Sequence, residues 1–240
     1  YPHAAADELE HISFRVERGQ TLAIIGATGS GKTTLAGLIP RFYDATQGTV
    51  LVDGVDVRDY TFDALYDRLG YVTQKAVLFS GTVQDNIFFG QSEAADTDET
   101  LQQALQLSQA AEFVDRYPEK AAHPIAQLGR NVSGGQKQRL SIARALARRP
   151  EILIFDDSFS ALDYKTDATL REGLAKQLPG TTKIIVAQRI STIRHADQIL
   201  VLDGGRIVGC GTHGTLLRSC ETYREIALSQ LSAAELGEEG

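Results

Sequence analysis

The sequence predicts an α/β fold with a mostly parallel β-sheet, and three observations favour that class. Largely apolar runs of strand length recur without alternating polar residues, at Ile152–Phe155, Lys183–Val186 and Ile199–Leu202. Such runs are typical of strands that are covered on both faces, as in a parallel sheet. Two long segments have helical periodicity, over about 83–117 and 133–147. A glycine-rich loop directly follows an early buried strand at Thr21–Ile25.

The N-terminal part is expected to contain antiparallel strands. Leu9–Val16 is rich in strand-forming side chains, and the chain then turns into the buried strand Thr21–Ile25. Thr49–Val52 leads into Asp53-Gly54, a strong signal for a hairpin turn. Tyr71–Thr73 is expected to be a further strand edge.

The middle of the chain is expected to form a helical lobe. Between about Val83 and Tyr117, one helical face carries the apolar side chains Leu101, Ala104, Leu105 and Leu107. Ser133-Gly134-Gly135 begins a second long helix, which runs through Ala147 and stops before Pro150. The tail from Ser229 to Gly240 is polar and is expected to fray.

The composition is that of an ordinary globular chain. With 240 residues and 42% hydrophobic content, it can bury the core of one domain, or of one domain with a lobe. No apolar run approaches the ~18 residues of a membrane helix. A net charge of −7 disfavours nucleic-acid partners, which need concentrated Lys and Arg. Because the chain begins with Tyr1 and contains no Met, we expect it to start inside a longer polypeptide. Cys210 and Cys220 are expected to be unpaired thiols in a reducing cytosol.

The loop Gly26–Thr33 predicts a phosphate-binding site. Its glycines allow consecutive backbone N–H groups to turn inward, and the next helix directs its positive end to the same point. Such a loop holds a nucleoside triphosphate, with Lys32 between the β- and γ-phosphates and the Thr33 hydroxyl on Mg²⁺. The residues expected to bind the nucleotide here are Gly26, Thr28, Gly29, Ser30, Gly31, Lys32, Thr33 and Thr34. The alternative is a glycine-rich turn that matches by accident.

Two carboxylates follow the apolar run at Ile152–Phe155. Asp156 and Asp157 lie at the carboxyl end of this strand, where α/β sheets bind ligands. Asp156 is well placed to hold Mg²⁺, directly or through water. Alternatively, the two acids only cap the following helix.

The helix that begins at Ser133 predicts a second anion site. The Ser133 hydroxyl and the amides of Gly134 and Gly135 resemble an anion-binding helix start, and Arg144, Arg148 and Arg149 complement the dipole at the far end. A simple N-cap would explain Ser133 but not the Gly-Gly-Gln that follows. Two γ-phosphate sites in one chain need not serve the same nucleotide.

Together these motifs resemble the nucleotide-binding domain of ATP-binding cassette (ABC) transporters over nearly the whole chain. In that family Gly26–Thr33 is the Walker A motif, Ile152–Asp156 is Walker B, and Asn131–Gln136 is the signature sequence, with Val132 in place of the usual Leu. The resemblance implies a P-loop NTPase (RecA-like) core, an N-terminal antiparallel β subdomain and an inserted α-helical subdomain. One ABC ATPase domain would then span 1–240, with 1–82 and 150–240 as the β subdomain and core and 83–149 as the helical subdomain.

The resemblance also assigns roles to single residues. Gln74 looks like the Q-loop glutamine, which contacts Mg²⁺ and the attacking water, and Tyr1 looks like the aromatic residue that stacks on adenine. The signature and the D-loop would bind the nucleotide of a partner through Ser133, Gly134, Gly135, Gln136 and Asp163. The implied Mg²⁺ ligands are Thr33, Gln74 and Asp156.

The family pairs two such domains head to tail around two Mg-ATP. The resemblance therefore implies ATP and Mg²⁺ as cofactors, and a second nucleotide-binding domain and transmembrane domains as partners, with no nucleic acid and no lipid anchor in this chain. The segment Leu78–Val83, followed by Asn86-Ile87, is similar to exporters. The domain would act at the cytoplasmic face of the cell membrane.

Two positions depart from the family pattern. The residue after the Walker B aspartate is usually the catalytic Glu, and here it is Asp157, which is one methylene shorter. The switch-loop His is replaced by Gln188, whose amide cannot carry positive charge. Both changes are expected to slow hydrolysis and to leave nucleotide binding intact.

Two exporter arrangements are compatible with these departures. This chain could supply the impaired site of a heterodimeric exporter, in which its signature helix completes the competent site of a different partner. The alternative is a homodimer that tolerates Asp157 and Gln188.

Two other functions stay open beside the exporter. One is a soluble cassette ATPase of DNA repair or translation, which the acidic charge and the exporter-like segment disfavour. The other is a regulatory module whose bound ATP mainly stabilises a dimer.

Overall fold

The computed structural model describes residues 8–90 and 97–231. Its strands are β1 (Thr21–Gly26), β2 (Leu51–Val52), β3 (Val55–Asp56), β4 (Leu69–Val72), β5 (Gly81–Thr82), β6 (Pro124–Ile125), β7 (Ile152–Asp156), β8 (Thr182–Val186), β9 (Gln198–Asp203) and β10 (Arg206–Gly211). Its helices are α1 (Lys32–Leu38), α2 (Phe62–Tyr66), α3 (Val83–Ile87), α4 (Asp98–Leu107), α5 (Ala111–Val114), α6 (Gly134–Ala147), α7 (Tyr164–Gln177), α8 (Ile190–Ile193), α9 (His213–Ser219) and α10 (Glu221–Gln230).

The chain divides into two compact units. Among the described residues, the first unit consists of 8–69 and 182–231, and the second consists of 70–90 and 97–181. The predicted helical subdomain at 83–149 lies inside the second unit. The bounds 83 and 149 of that subdomain stay a prediction.

The core of the first unit is a sheet with the strand order β10-β9-β1-β8. Strands β8 and β9 run parallel to β1, with Ile24 opposite both Val186 and Leu200, and β10 is antiparallel to β9. The central residues of β1, β8 and β9 are buried, so the prediction of covered parallel strands is confirmed here. The carboxyl ends of β1 and β8 therefore lie side by side at one edge of this sheet.

The predicted hairpin is confirmed. Strands β2 and β3 pair antiparallel, and the two turn residues, Asp53 and Gly54, have φ angles of 49° and 79°. Positive φ at both positions is the requirement of a type I′ turn, which Asp-Gly meets at low cost.

The predicted strand at Leu9–Val16 is wrong. These residues do alternate between half-buried and exposed, but they belong to no strand of the described chain. His11 has a φ of 53°, and the Glu10 N–H donates to the Gly205 carbonyl at 2.8 Å. The left-handed residue interrupts the extended backbone that a continuous ladder needs.

In the second unit, β4 and β7 are neighbours, and β5 pairs antiparallel with β6. The predicted apolar face is confirmed, because Leu101, Ala104, Leu105 and Leu107 of α4 are buried. The helical pattern over 83–117 forms the separate helices α3, α4 and α5 within the part that the structure covers. Helix α6 begins after Ser133 and ends at Ala147, as predicted.

The basic end of α6 is bonded to neighbouring segments. The Arg144 guanidinium donates to the carbonyls of Asn86 at 2.7 Å and Val77 at 3.0 Å, and it lies over the rings of Phe79 and Phe89. Burial lowers the pKa of Arg144 from its ordinary value, and the group stays charged at neutral pH. This arginine therefore fixes the end of α6 as well as complementing its dipole.

The C-terminal helices carry a buried polar pair. His213 Nδ1 and the Tyr223 hydroxyl are 2.7 Å apart, and both side chains are buried. The tail Ser229–Gly240 is expected to fray, but helix α10 includes Ser229 and Gln230, and residues 232–240 lie outside the described residues. Cys210 and Cys220 are free thiols, as predicted. Within the described ranges, no helix is long and apolar enough to cross a membrane.

Substitution Tyr223→Phe is expected to lower the free energy of unfolding by about 1 kcal/mol, because it removes one hydrogen bond between buried groups. The control is Tyr164→Phe, since Tyr164 is 63% exposed. Urea denaturation followed by circular dichroism measures both. Equal stability of the two variants would contradict the buried pair.

Candidate functional site

The glycine-rich loop of the first unit is held in shape by close backbone contacts. A Cβ on Gly26 would lie 2.0 Å from the Leu202 carbonyl oxygen, so no other residue fits there. Gly29 and Gly31 have φ angles of 81° and 93°, a region that favours glycine. The loop therefore turns tightly at positions that require or favour glycine, and phosphate binding by its backbone stays a prediction.

Lys32 is buried beneath this loop, with only 9% of its surface exposed. Its ammonium donates to the Gly26 carbonyl at 2.9 Å, the Ala27 carbonyl at 2.6 Å and the Ser30 hydroxyl at 3.3 Å. A buried charge needs such partners, and here they hold it at the centre of the turn. The arrangement places a positive charge where the sequence predicts phosphates.

The predicted phosphate ligands are close to Lys32 in the sequence, and several of them are exposed. Thr28, Gly29 and Thr33 are exposed, and Thr34 is half-buried. Gly31 is the N-cap residue of α1 and offers no side chain to cap the helix. The first turn of α1 therefore faces the loop without a capping side chain of its own, as an anion site requires.

Gln188 lies at the same edge of the first unit's sheet. It follows β8, whose neighbour β1 leads into the loop, and its side chain is exposed. The Gln188 carbonyl accepts a hydrogen bond from the Gln230 side chain at 2.8 Å.

In the second unit, Asp156 lies at the end of β7 and is buried. Its Oδ2 accepts a hydrogen bond from the Tyr71 hydroxyl at 3.0 Å. The sequence predicts a strand edge at Tyr71 but no role for its side chain at the site. The hydrogen bond fixes the orientation of the carboxylate that is predicted to hold Mg²⁺.

Gln74 and Asp157, two of the predicted catalytic residues, are joined by a hydrogen bond. Gln74 Nε2 donates to Asp157 Oδ2 at 2.9 Å, and Asp157 is only 6% exposed. Asp157 has a φ of 48°, in the left-handed region, which turns the chain sharply after β7. Strained backbone of this kind is common at functional sites.

Gln138 is a site residue that sequence reasoning missed. It lies on α6, is 1% exposed, and donates from Nε2 to the Thr73 carbonyl at 3.1 Å. It therefore fixes the backbone next to Gln74. A polar residue on the buried face of an amphipathic helix was the signal that could have revealed it.

The N-terminus of α6 is closed by a capping box. The Gln136 N–H donates to the Ser133 hydroxyl at 3.3 Å, and the Ser133 N–H donates to Gln136 Oε1 at 2.8 Å. The simple N-cap interpretation therefore explains Gln136 as well as Ser133. It does not explain Gly134, since no described atom lies within 4 Å of a Cβ built there.

Asp163 also acts as a cap in this structure. Its carboxylate accepts from the Thr166 N–H at 3.0 Å and from the Thr166 hydroxyl at 2.7 Å, at the start of α7. These hydrogen bonds lower the pKa of Asp163 from an ordinary value of 3.8. Because the pKa is lowered, the cap is complete at neutral pH and is lost only as the pH falls through the lowered pKa of the folded state.

The predicted donors suit Mg²⁺, which prefers carboxylate, hydroxyl and amide oxygens and keeps few protein ligands. Asp156 offers one oriented carboxylate, and the remaining predicted ligands are Thr33 and Gln74. No group of three His, Cys, Asp or Glu side chains in the described chain could hold a metal alone. Tyr1, the predicted adenine-stacking residue, lies outside the described residues.

Comparison with known proteins places this geometry in a family. The model of the ABC transporter family matches residues 9–160. An uncharacterized ABC transporter ATP-binding protein of Mycobacterium tuberculosis is 48% identical over 99% of the chain and 40% of the relative. The ATP-dependent lipid A-core flippase of Albidiferax ferrireducens is 44% identical over 92% of the chain and 38% of the relative.

A solved structure is similar over almost the same range. A bacterial Atm1-family ABC exporter with ATP bound superimposes with a TM-score of 0.89 at 38% identity, over 94% of the chain and 39% of that protein. The chain thus spans about two fifths of the length of these proteins.

Ser158 and Ser160 provide a matched pair of substitutions beside Asp157. Among residues 8–90 and 97–231, the buried Ser158 hydroxyl has no hydrogen-bond partner, whereas the Ser160 hydroxyl donates to the Asp157 carbonyl at 2.7 Å. We expect Ser158→Ala to leave the free energy of unfolding unchanged or to raise it by up to about 1 kcal/mol, and Ser160→Ala to lower it by about 1 kcal/mol. Urea denaturation measures both, and a larger loss for Ser158→Ala would contradict the assignment.

Proposed function

The chain belongs to the ABC transporter family, and from that premise we propose that it binds Mg-ATP and couples ATP hydrolysis to export across a membrane. The observation that carries the proposal is the buried Lys32 ammonium, held at the centre of a glycine-rich turn by two carbonyls and a hydroxyl. Triphosphate oxygens are the acceptors that such a charge and the adjoining helix N-terminus recognise.

The residues of the second unit support a hydrolytic role. Water attacks the γ-phosphorus, the bond from that phosphorus to the bridging oxygen breaks, and ADP leaves with the oxygen. Asp157 would accept the proton of the water, and Gln74 orients its carboxylate through the bond between them. Mg²⁺ neutralises phosphate charge when bound, and Thr33, Gln74 and Asp156 would hold it.

Slow turnover at the chain's own site belongs to the same proposal. Asp157 is one methylene shorter than the family's Glu, and a misplacement of about an ångström costs on the order of 10²-fold in rate. Gln188 lies at the edge where the phosphate loop begins, but its amide carries no charge with which to stabilise the transition state. The hydrogen bonds of the Lys32 ammonium to the Gly26 and Ala27 carbonyls and to the Ser30 hydroxyl involve neither residue.

A head-to-tail dimer would use the backbone of Gly134 at the start of α6, beside the capping box of Ser133 and Gln136. Gly134 has free space where a side chain would stand, so the backbone there can approach the phosphates of a nucleotide on another domain. We propose that the partner is a different subunit, which carries Glu and His where this chain has Asp157 and Gln188. A second copy of this chain is the alternative.

Transmembrane domains are the further partner that we propose. Val77, Phe79 and Phe89 are between 43% and 52% exposed, and the two Phe rings stack 4.2 Å apart. Exposed aromatic pairs of this kind mark interaction surfaces. A 43% identical relative from Bacillus subtilis is named a probable multidrug resistance ABC transporter ATP-binding/permease protein, and the chain covers 41% of it. The proposed location is the cytoplasmic face of the membrane.

Substitution Lys32→Ala is expected to abolish the rise in melting temperature that Mg-ATP causes, because the phosphate charge loses its buried partner. The control is Lys176→Ala, since Lys176 is exposed and pairs with Glu172 on α7. Thermal unfolding with and without Mg-ATP measures both variants. An undiminished ATP effect in Lys32→Ala would contradict the proposed binding site.

The double substitution Asp157→Glu/Gln188→His is expected to raise ATP turnover, by up to on the order of 10²-fold, because it restores the reach of the base and a cationic side chain. Phosphate release from the purified chain measures the rate. Asp157→Asn is the control and should not gain activity. Fast turnover by the unmodified chain alone would contradict an impaired site.

A further inference from the structure

The side chain of Gln230 is bonded to the main chain on both sides of Arg189. Its Nε2 donates to the Gln188 carbonyl at 2.8 Å, and its Oε1 accepts from the Ile190 N–H at 2.8 Å. One amide group thus occupies a donor and an acceptor of the same short segment. This pattern imitates the pair of hydrogen bonds that a neighbouring strand would make.

The second of these bonds replaces a missing helix cap. Helix α8 begins at Ile190, and its N-cap residue, Arg189, makes no capping bond with its side chain. The Ile190 N–H is one of the groups that a helix start leaves without an intrahelical partner. Gln230 satisfies it from another helix.

The position of Gln230 is itself fixed by packing within the first unit. Tyr223 and Ala227, on the preceding turns of α10, are both fully buried, and Tyr223 is bonded to His213. Helix α10 is therefore anchored by its own core face. Its last residue is held where it reaches Gln188 and Ile190.

We propose that Gln230 is a positioning residue, which fixes the backbone of Gln188 and so places that side chain for contact with the γ-phosphate. The role rests on the proposed function. The Gln188 backbone follows β8 and belongs to no strand or helix, so its own secondary structure supplies no such restraint. A misplaced Gln188 would weaken transition-state contact more than ground-state binding of ATP.

The test compares Gln230→Leu, which removes both hydrogen bonds, with Gln230→Glu, which keeps the acceptor for Ile190 and loses the donor to Gln188. Ser229→Ala is the matched control, because the Ser229 hydroxyl donates to the Ile226 carbonyl of its own helix. We expect amide exchange at Ile190 to rise about fivefold to tenfold in Gln230→Leu, and less in Gln230→Glu. Trypsin cleavage after the exposed Arg189 should accelerate in the same order.

The kinetic arm uses the full-length protein without the proposed partner subunit, so that the measured turnover is that of the site containing Gln188. We expect Gln230→Leu to lower kcat several-fold and to change KM for ATP by less than about twofold. The reason is that a misplaced Gln188 stabilises the transition state less, while the binding of ATP in the ground state changes little. Ser229→Ala should match the unmodified protein in all three measurements. Should Gln230→Leu fail to fold, Gln230→Glu supplies the same comparison.

The outcomes separate this proposal from the proposed function. Unchanged amide exchange at Ile190 and unchanged trypsin cleavage after Arg189 in Gln230→Leu would show that the two Gln230 hydrogen bonds do not restrain this segment. That result would hold whether or not the protein hydrolyses ATP. A loosened segment with unchanged kcat would overturn the positioning role alone. If the Lys32→Ala experiment showed that the loop does not bind ATP, the positioning role would be rejected together with the proposed function. Amide exchange at Ile190 would still show whether the Gln230 hydrogen bonds restrain the segment.

Discussion

The hydrogen bonds of the buried Lys32 ammonium are the interaction on which the functional interpretation depends. An ammonium that has lost most of its hydration must be surrounded by acceptors, and the Gly26 and Ala27 carbonyls supply them only if the turn is tight. The tight turn in turn requires Gly26, because any side chain there would collide with the Leu202 carbonyl. The sheet, the loop and the charge are therefore one interdependent arrangement.

Local patterns predicted much of the fold. The apolar runs identified β7, β8 and β9, and the Asp-Gly turn and the bounds of α6 were also predicted from short stretches of chain. The error at Leu9–Val16 has a physical reason, since strand propensity says nothing about whether a ladder partner is available. The resemblance to ABC transporters is confirmed by the family match and the exporter structure.

The supporting residues of the site could not be predicted in this way. Tyr71, Gln138 and Gln230 each make a hydrogen bond to a segment that is distant in sequence. Such bonds depend on the tertiary fold and leave no periodicity or spacing in the chain. The capping role of Gln136 is predictable from sequence, because its partner Ser133 lies three residues earlier, which is the spacing of a capping box. The roles of Asp157, Gln188 and Asp163 stay predictions.

Arg144 attaches the C-terminal end of α6 to neighbouring segments, so that the helix moves together with them. Its guanidinium fastens one end of the helix to Asn86, Val77 and the stacked Phe79 and Phe89, and the opposite end carries Ser133. A helix of 14 residues is a stiff rod of about 21 Å, since each residue adds about 1.5 Å. A displacement of Phe79 and Phe89 would therefore shift or tilt the whole helix, including its start at Ser133, because the helix bends little over this length.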